Sequence, residues 1–173
     1  MPAKPAFQTL VERHQDEIHA YLWRLLEDSQ DAQDILQETF LRAFRAYTQL
    51  NHGERARPWL YRIATRSAYT EIRRRKKHAE RSAPLLEDHP DDRPGLSQVV
   101  EQEQMLAQVR SAVRALPSRQ RSALLMRKYQ GMSYEEVAVA LGCTPDAARA
   151  HVYQALRRLR SRFPAWTSPE GSH

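Results

Sequence analysis

The sequence predicts an all-α protein with two small helical domains joined by a flexible acidic linker. Every periodic apolar segment repeats with a helical spacing, and none alternates convincingly like a β-strand. Residues 82–98 contain three prolines, a glycine and clustered acids, with too few apolar side chains to offset the entropy of ordering them. Two capped helical patterns near the C-terminus form a helix-turn-helix. We therefore place one domain at 1–81, the linker at 82–98, a second domain at 99–163 and a disordered tail at 164–173.

The first domain contains three predicted amphipathic helices. Apolar side chains recur at helical spacing over residues 7–26 and again over residues 32–47, so each segment has one face to bury. Pro58 suits the first turn of a third helix, whose buried face runs through residues 59–72. That helix ends in five consecutive basic residues, 73–77, which repel one another unless an anion lies against them.

The second domain ends in the helix-turn-helix pattern. Ser133 and Glu136 have the spacing of a capping box, and Gly142 supplies the left-handed residue that ends the first helix. Thr144 can cap the second helix, and Pro145 fits its first position. Helices joined by so short a turn must cross, as they do in proteins that place a recognition helix in the major groove. A tight helical hairpin also occurs in bundles that bind no DNA.

Charge is sorted along the chain into four blocks. Residues 1–53 carry five basic and eight acidic side chains, and residues 54–81 carry ten and three. Residues 82–106 carry one and six, and residues 107–163 carry eleven and three. The net charge of +6 therefore conceals two basic and two acidic blocks. Because basic faces release counterions from nucleic acid and acidic faces do not, this alternation indicates more than one kind of partner.

Several classes of protein are disfavoured by the sequence. No apolar run is long enough to cross a membrane and no signal peptide is evident, so we expect a cytoplasmic protein with no membrane contact of its own. The single cysteine, Cys143, can form neither an internal disulfide nor a thiolate zinc site, and we interpret it as a half-buried packing residue. Scattered histidines and the lack of catalytic motifs predict no metal site, no cofactor and no enzymatic activity.

Two further segments allow a functional and a purely structural interpretation. In the second helix, Asp31, Asp34 and Glu38 form an acidic ridge opposite the buried stripe, and such a ridge is either solvated or a partner surface. In the third helix, aromatic residues lie among arginines, a combination that suits stacking of unpaired bases at about 1–3 kcal/mol per base. Burial of Trp59 in the core is an equally good interpretation of the same pattern.

Three stretches together resemble the extracytoplasmic-function (ECF) group of bacterial sigma factors. They are DAQDILQETFLRAFRAY (31–47), RPWLYRIATRSAYTEIRRRKK (57–77) and ALPSRQRSALLMRKYQGMSYEEVAVALGCTPDAARAHVYQALRRLR (115–160). The resemblance covers most of the chain in the family's order. It implies a transcription initiation factor that binds RNA polymerase core and directs it to promoters by recognising −10 and −35 elements.

The resemblance also implies which residues bind each partner. The core polymerase, through the coiled coil of its largest subunit, would contact Asp31, Asp34, Gln37, Glu38 and Arg42. The −10 DNA, with one base flipped into the loop before the third helix, would contact Asn51, His52, Arg55, Arg57, Trp59, Tyr61, Arg62, Arg66, Arg73 and Arg74. The −35 DNA would contact Arg119, Arg127, Lys128, Arg149, Ala150, His151, Tyr153, Arg157 and Arg158. A cognate anti-sigma factor is the remaining expected partner.

Two other functions fit parts of the sequence. A dimeric repressor or activator would use the same helix-turn-helix on a two-fold operator and would have no need of the acidic ridge. A helical scaffold or RNA-binding protein would use the basic residues 54–81, but this leaves the capped helix-turn-helix without a purpose.

Overall fold

The computed structural model describes residues 3–50, 55–82 and 98–167, and these parts of the chain contain α-helices and 3-10 helices without a β-strand. The N-terminal half comprises α1 (Phe7–Leu26), α2 (Ser29–Ala46) and α3 (Ala56–Arg81). The C-terminal half comprises α4 (Gln98–Arg114), α5 (Ser118–Lys128), α6 (Tyr134–Leu141) and α7 (Pro145–Arg162). Two 3-10 helices span Tyr47–Gln49 and Pro164–Thr167. The predicted all-α class is confirmed.

Some of the sequence-based expectations fall on residues that are not described. The candidate −10 residues Asn51 and His52 lie outside the described residues, as does most of the predicted linker, at 83–97. The segment predicted as a disordered tail begins with the 3-10 helix Pro164–Thr167, and the rest of it, 168–173, is not described.

Local capping fixes the helix boundaries in the N-terminal half. α1 ends at Glu27, which adopts the left-handed conformation with φ 54° and donates its N–H to the Trp23 carbonyl at 2.8 Å. Only Glu27 and Asp28 separate α1 from α2. The Asp28 carboxylate accepts the Asp31 N–H at 2.9 Å, so it satisfies one of the free donors in the first turn of α2. The second helix thus begins at Ser29, three residues before the first apolar residue of its predicted pattern.

The helix-turn-helix has the caps predicted from its sequence. The Ser133 hydroxyl accepts the Glu136 N–H at 3.1 Å, and the Glu136 carboxylate accepts the Ser133 N–H at 3.0 Å. Gly142 ends α6 with φ 65°, where a side chain would be strained. The Thr144 hydroxyl accepts the Ala147 N–H at 3.1 Å, and Pro145 is the first residue of α7. These five features set the angle at which α7 leaves the turn.

The two halves pack against each other around one continuous apolar core. Ile18, Tyr21 and Leu22 of α1 are fully buried in the same cluster as Met126 and Met132 from the other half. Burying one such aliphatic side chain contributes about 1.5–3 kcal/mol, so the contact between the halves is a substantial one. The structure therefore brings together surfaces that the sequence assigned to separate domains.

Two helices carry apolar side chains that are only partly covered. Phe44 lies within the apolar pattern of residues 32–47, yet its side chain is 63% exposed. In α4, Val99 and Leu106 are 61% and 54% exposed, whereas Ala112 is buried against the C-terminal half. The period identifies which side of a helix is apolar, but it does not tell whether another element of the fold covers that side.

Two further properties hold for the described residues. No described helix is both long enough and apolar enough to cross a bilayer. Within 3–50, 55–82 and 98–167, no three acidic, histidine or cysteine side chains converge as metal ligands would.

Candidate polymerase and nucleic-acid interfaces

The outer face of α2 presents most of the predicted acidic ridge to solvent. Asp34, Gln37 and Arg42 are exposed, and Asp34 accepts a hydrogen bond from the Gln30 amide at 3.1 Å. Glu38 pairs with Arg42 at 2.5 Å, and both side chains remain more than 40% exposed. Surface pairs of this kind contribute little to stability, about 0.3–0.5 kcal/mol, so these charges are free to engage a partner.

Asp31 differs from the rest of the predicted ridge. Its carboxylate pairs with Arg75 of α3, and the Asp31 side chain is only 21% exposed. Arg75 also lies 3.4 Å from a carboxylate oxygen of Glu71 on its own helix. Asp31 therefore links α2 to α3, and the acids of the ridge that remain exposed to a partner are Asp34 and Glu38.

Two exposed apolar side chains beside the ridge were missed by the sequence analysis. Leu41 is 59% exposed and Phe44 is 63% exposed. Phe44 contacts Phe7 edge-on with ring centroids 5.3 Å apart, which leaves most of its surface open. Leu41 follows Glu38 by three residues, so its place on the ridge could have been read from helical spacing. Large apolar groups at the edge of a charged ridge are typical of a protein interface.

Arg57 of α3, a predicted −10 residue, joins the two halves of the molecule. Its guanidinium donates to Glu17 of α1 at 2.9 Å and to the Gln130 carbonyl at 2.6 Å. It also reaches the Glu136 carboxylate of α6 at 3.3 Å. The Arg57 side chain is 27% exposed, so it contacts protein groups on several sides and bridges the α1, α3 and α6 helices.

Glu17 is the anionic centre of this cluster and was not singled out from the sequence. Burial raises its pKa, but hydrogen bonds from His14 at 2.6 Å and from Arg57, with the charge of Arg57, outweigh burial and lower the pKa to about 2. Tyr61 donates its hydroxyl to Glu17 at 3.1 Å and is fully buried. Tyr61 is therefore a core residue in this structure and presents no ring face to a DNA base.

The other predicted −10 residues fall into two groups. Arg62 donates to the Val139 carbonyl of α6 at 2.9 Å, so it too spans the contact between the halves. Trp59 is half-buried against the core, with its ring 6.4 Å from that of Tyr47, as the structural interpretation of this residue expected. The remaining arginines of the set are exposed along α3; they are Arg55, Arg66, Arg73 and Arg74.

α7 presents the predicted −35 residues along its outer side. Ala148, Val152, Ala155 and Leu159 are buried, and this stripe turns the opposite face of the helix to solvent. The exposed members of the predicted set on this helix are Arg149, Ala150, Tyr153, Arg157 and Arg158. His151 is half-buried, and its pKa is lowered by burial and by the nearby charge of Arg119.

The predicted phosphate contacts on α5 are partly engaged within the domain. Arg119 is exposed but donates to the Leu141 carbonyl at the end of α6 at 3.0 Å. Arg127 is half-buried, and it donates to the Met132 carbonyl at 2.9 Å. Lys128 is exposed. Arg119 thus braces α5 against the end of α6 and Arg127 braces it against the turn before α6, while Lys128 is exposed.

Two family models match the chain in the order that the fold displays. Sigma-70 region 2 matches residues 10–78, and Sigma-70 region 4 matches residues 106–159. The chain belongs to the sigma-70 family. Region 2 covers most of α1 to α3, and region 4 covers most of α4 to α7, so the family models divide this sigma factor close to the predicted linker.

Curated relatives place this sigma factor in the ECF group. It is 30% identical over 159 residues to the ECF RNA polymerase sigma factor SigE of Mycolicibacterium smegmatis, which covers 91% of the chain and 62% of that relative. The chain thus spans somewhat less than two thirds of the length of SigE. It is 29% identical over 160 residues to the RNA polymerase sigma-H factor of Pseudomonas aeruginosa, covering 88% of the chain and 83% of that protein.

Solved structures agree with the fold of this sigma factor. The sigma factor RpoE of Bartonella quintana, in complex with the anti-sigma factor NepR, has a TM-score of 0.67 at 23% identity, covering 90% of this chain and 94% of that one. CnrH, in complex with the cytosolic domain of CnrY, has a TM-score of 0.68 at 23% identity, covering 92% and 88%. The sigma-factor family consists of transcription initiation factors and is not known for enzymatic activity. Promoter-specific initiation by RNA polymerase is the function that this membership gives the chain.

Proposed function

We propose that this sigma factor divides its contacts among three surfaces. The α2 face formed by Asp34, Glu38, Leu41 and Phe44 binds RNA polymerase core. The basic face of α3, with the loop before it, binds the −10 element and holds one flipped base. The outer side of α7 reads the −35 element in the major groove, with α5 contacting phosphates. Exposed arginines are concentrated on α3 and α7, whereas α2 presents Asp34 and Glu38 together with exposed apolar side chains, and this distribution supports the division.

The packing of the two halves adds a condition to promoter binding. Arg57 and Arg62, both proposed −10 contacts, bond to α6 or the turn before it. A DNA strand that uses these guanidiniums must displace the C-terminal half from α3. We infer that the structure is a closed form and that promoter recognition requires the halves to separate.

The proposal extends to location and to a protein partner. A sigma factor works with RNA polymerase, so we place this chain in the cytoplasm. The structural neighbour RpoE is bound to the anti-sigma factor NepR, which supports a cognate anti-sigma factor for this chain as well. An anti-sigma factor that bound the closed form better than the open one would favour the closed form.

Two sets of variants test the division of contacts. Asp34→Ala combined with Glu38→Ala should weaken binding to purified core polymerase and leave promoter affinity of the free chain unchanged. Arg149→Ala should weaken recognition of the −35 element at unchanged core binding, since Arg149 is 62% exposed and only loosely paired with Asp146 at 3.7 Å. Equal effects of both variants in both assays would contradict the division.

Transcription and salt dependence supply the wider controls. Core polymerase with this chain should start transcripts at sites that core alone does not use. DNA affinity of the chain should fall with salt at a log–log slope of about −4 to −5 if about five phosphates are neutralised. A chain that core polymerase ignores, or a slope near zero, would reject the proposed function.

A further inference from the structure

A polar cleft lies where α3, α5 and α6 meet, on the opposite side of Arg62 from Arg57 along α3. Its volume is about 480 Å³, within the range of about 300–1,000 Å³ typical of small-ligand sites. Three arginines line it: Arg66 and Arg73 from α3, and Arg119 from α5. Its wall also carries five hydroxyl side chains and no acidic residue.

The three arginines of this cleft have no counter-charge within the described chain. Arg73 makes a long contact of 3.4 Å with the Thr70 hydroxyl, and Arg119 donates to the Leu141 carbonyl at 3.0 Å. Arg66 is exposed. None of the three forms an ion pair with any residue that the structure describes. Guanidinium groups stay protonated at every physiological pH, so the closed form gathers three like charges that a bound anion would relieve.

The start of α5 adds hydrogen-bond donors to the same wall. α5 begins at Ser118, and no side chain caps its N-terminus. The first turn of a helix has free N–H groups and a partial positive charge. The Tyr69 hydroxyl donates to the Ser118 carbonyl at 2.7 Å and so holds α3 against this end of α5.

The composition of the cleft favours a phosphate over an acidic peptide. Guanidinium forks bind phosphate oxygens in pairs, and hydroxyls supply additional donors. Only Ala140 and Leu141 are apolar, which gives little surface for the anchoring side chains of a peptide. We propose that the cleft binds a small polyphosphate, either inorganic or the phosphate chain of a nucleotide, and that this ligand bridges the two halves of the closed form.

One consequence of this site rests on the proposed function. Arg66, Arg73 and Arg119 are also proposed DNA contacts, so a polyphosphate in the cleft competes with promoter DNA. The ligand favours the closed form, because only there do the three arginines meet across the two halves. The binding itself is independent of polymerase and DNA and is tested on the full chain alone.

Calorimetric titration of the full chain with inorganic pyrophosphate tests the site. We expect saturable binding with one site per chain, weakened by about tenfold or more in Arg66→Ala combined with Arg119→Ala. The matched control, Arg45→Ala combined with Arg160→Ala, removes one exposed arginine from each half outside the cleft and should change the affinity less than about twofold. Circular dichroism melts verify that both double variants remain folded.

Three outcomes would overturn the proposal. The first is the absence of saturable binding by pyrophosphate. The second is equal weakening by the cleft variant and the control variant, which would reflect net charge alone. The third is displacement of pyrophosphate by an acidic peptide of alternating Asp and Glu that binds more tightly, which would assign the cleft to a protein segment. A parallel titration with ATP distinguishes a nucleotide from inorganic polyphosphate, since only a nucleotide site gains affinity from the base and sugar.

Discussion

Replacing Glu136 by Gln should loosen the contact between the two halves while leaving α6 capped. The Glu136 carboxylate lies 3.3 Å from the Arg57 guanidinium, and the two side chains are 16% and 27% exposed. At an effective dielectric constant of about 20, unit charges at this distance attract by about 5 kcal/mol before solvation is counted. Desolvation offsets most of that attraction, and Arg57 keeps its bonds to Glu17 and Gln130. The contact between the halves therefore loses a net stability of about 1–2 kcal/mol. This loss raises the equilibrium constant for separation of the two halves about 5- to 30-fold.

The neighbouring Glu135 supplies a matched control. Glu135 is exposed in the same first turn of α6, so Glu135→Gln changes the interaction with the helix dipole without touching Arg57. Gln at position 136 can still accept the Ser133 N–H through its amide oxygen, which preserves the capping box. The difference between the two variants therefore isolates the ion pair across the halves.

Energy transfer between two dyes measures the opening. The dyes are attached to two introduced cysteines, Asp16→Cys in α1 and Ser161→Cys in α7, in a Cys143→Ser background. Both positions are exposed. When urea is raised in small steps, Glu136→Gln should lose energy transfer at a lower urea concentration than Glu135→Gln. It should also bind promoter DNA more tightly, because a larger fraction of its molecules is open. If both variants follow the parent curve, or both shift equally, Arg57 does not hold the halves together through Glu136.

Three further predictions concern stability. The low pKa of Glu17, about 2, against an ordinary value of 4.5, means that its contribution is complete above about pH 5 and is lost as the pH falls towards 2. Between pH 7 and pH 3, Glu17→Gln should remove about 2 kcal/mol of the pH dependence of the free energy of unfolding measured in urea, and a pH profile identical to the parent's would contradict this role of Glu17. Tyr21→Phe should cost about 1 kcal/mol, because the fully buried hydroxyl bonds to a threonine at 2.9 Å, whereas the exposed control Tyr153→Phe should cost nothing measurable in the urea midpoint. Gly142→Ala should lower the melting temperature by an amount equivalent to about 1–2 kcal/mol, because φ is 65° there, while an added Cβ would lie 4.0 Å from the nearest atom, Arg62 Nη2, and would not clash; a smaller loss with Asn than with Ala would identify backbone strain as the cause.

Local features of the fold were readable from the sequence. Ser133, Glu136, Gly142 and Thr144 specify their helix ends through bonds to residues three or four positions away, so the sequence contains both partners side by side. Cys143 is half-buried and packs against the core, as interpreted. The family resemblance was confirmed by models matching both halves of the chain.

Contacts between distant residues were not readable in the same way. The family resemblance assigned Tyr61 and Arg57 to −10 DNA, and neither that resemblance nor the pattern of arginines and aromatics reveals which groups lie opposite a side chain in this fold. Glu17 is 40 residues from Arg57 in sequence, and Glu136 is 79 residues away. Asp31 likewise looked like any other member of the ridge until Arg75 was found beside it. The assignments to core polymerase, −10 and −35 DNA remain predictions.

The double engagement of Glu136 limits how freely sigma factors of this kind can be recombined. A chimera that grafts residues 99–163 onto another N-terminal half would carry Glu136 with an intact capping box but would leave Arg57 behind. Without an arginine at the matching place in the new host, the graft would keep its DNA-reading geometry and lose one of the contacts that close it. Engineers who seek regulators that open more readily could exploit that loss, and those who want to retain the closed state must transplant both residues together.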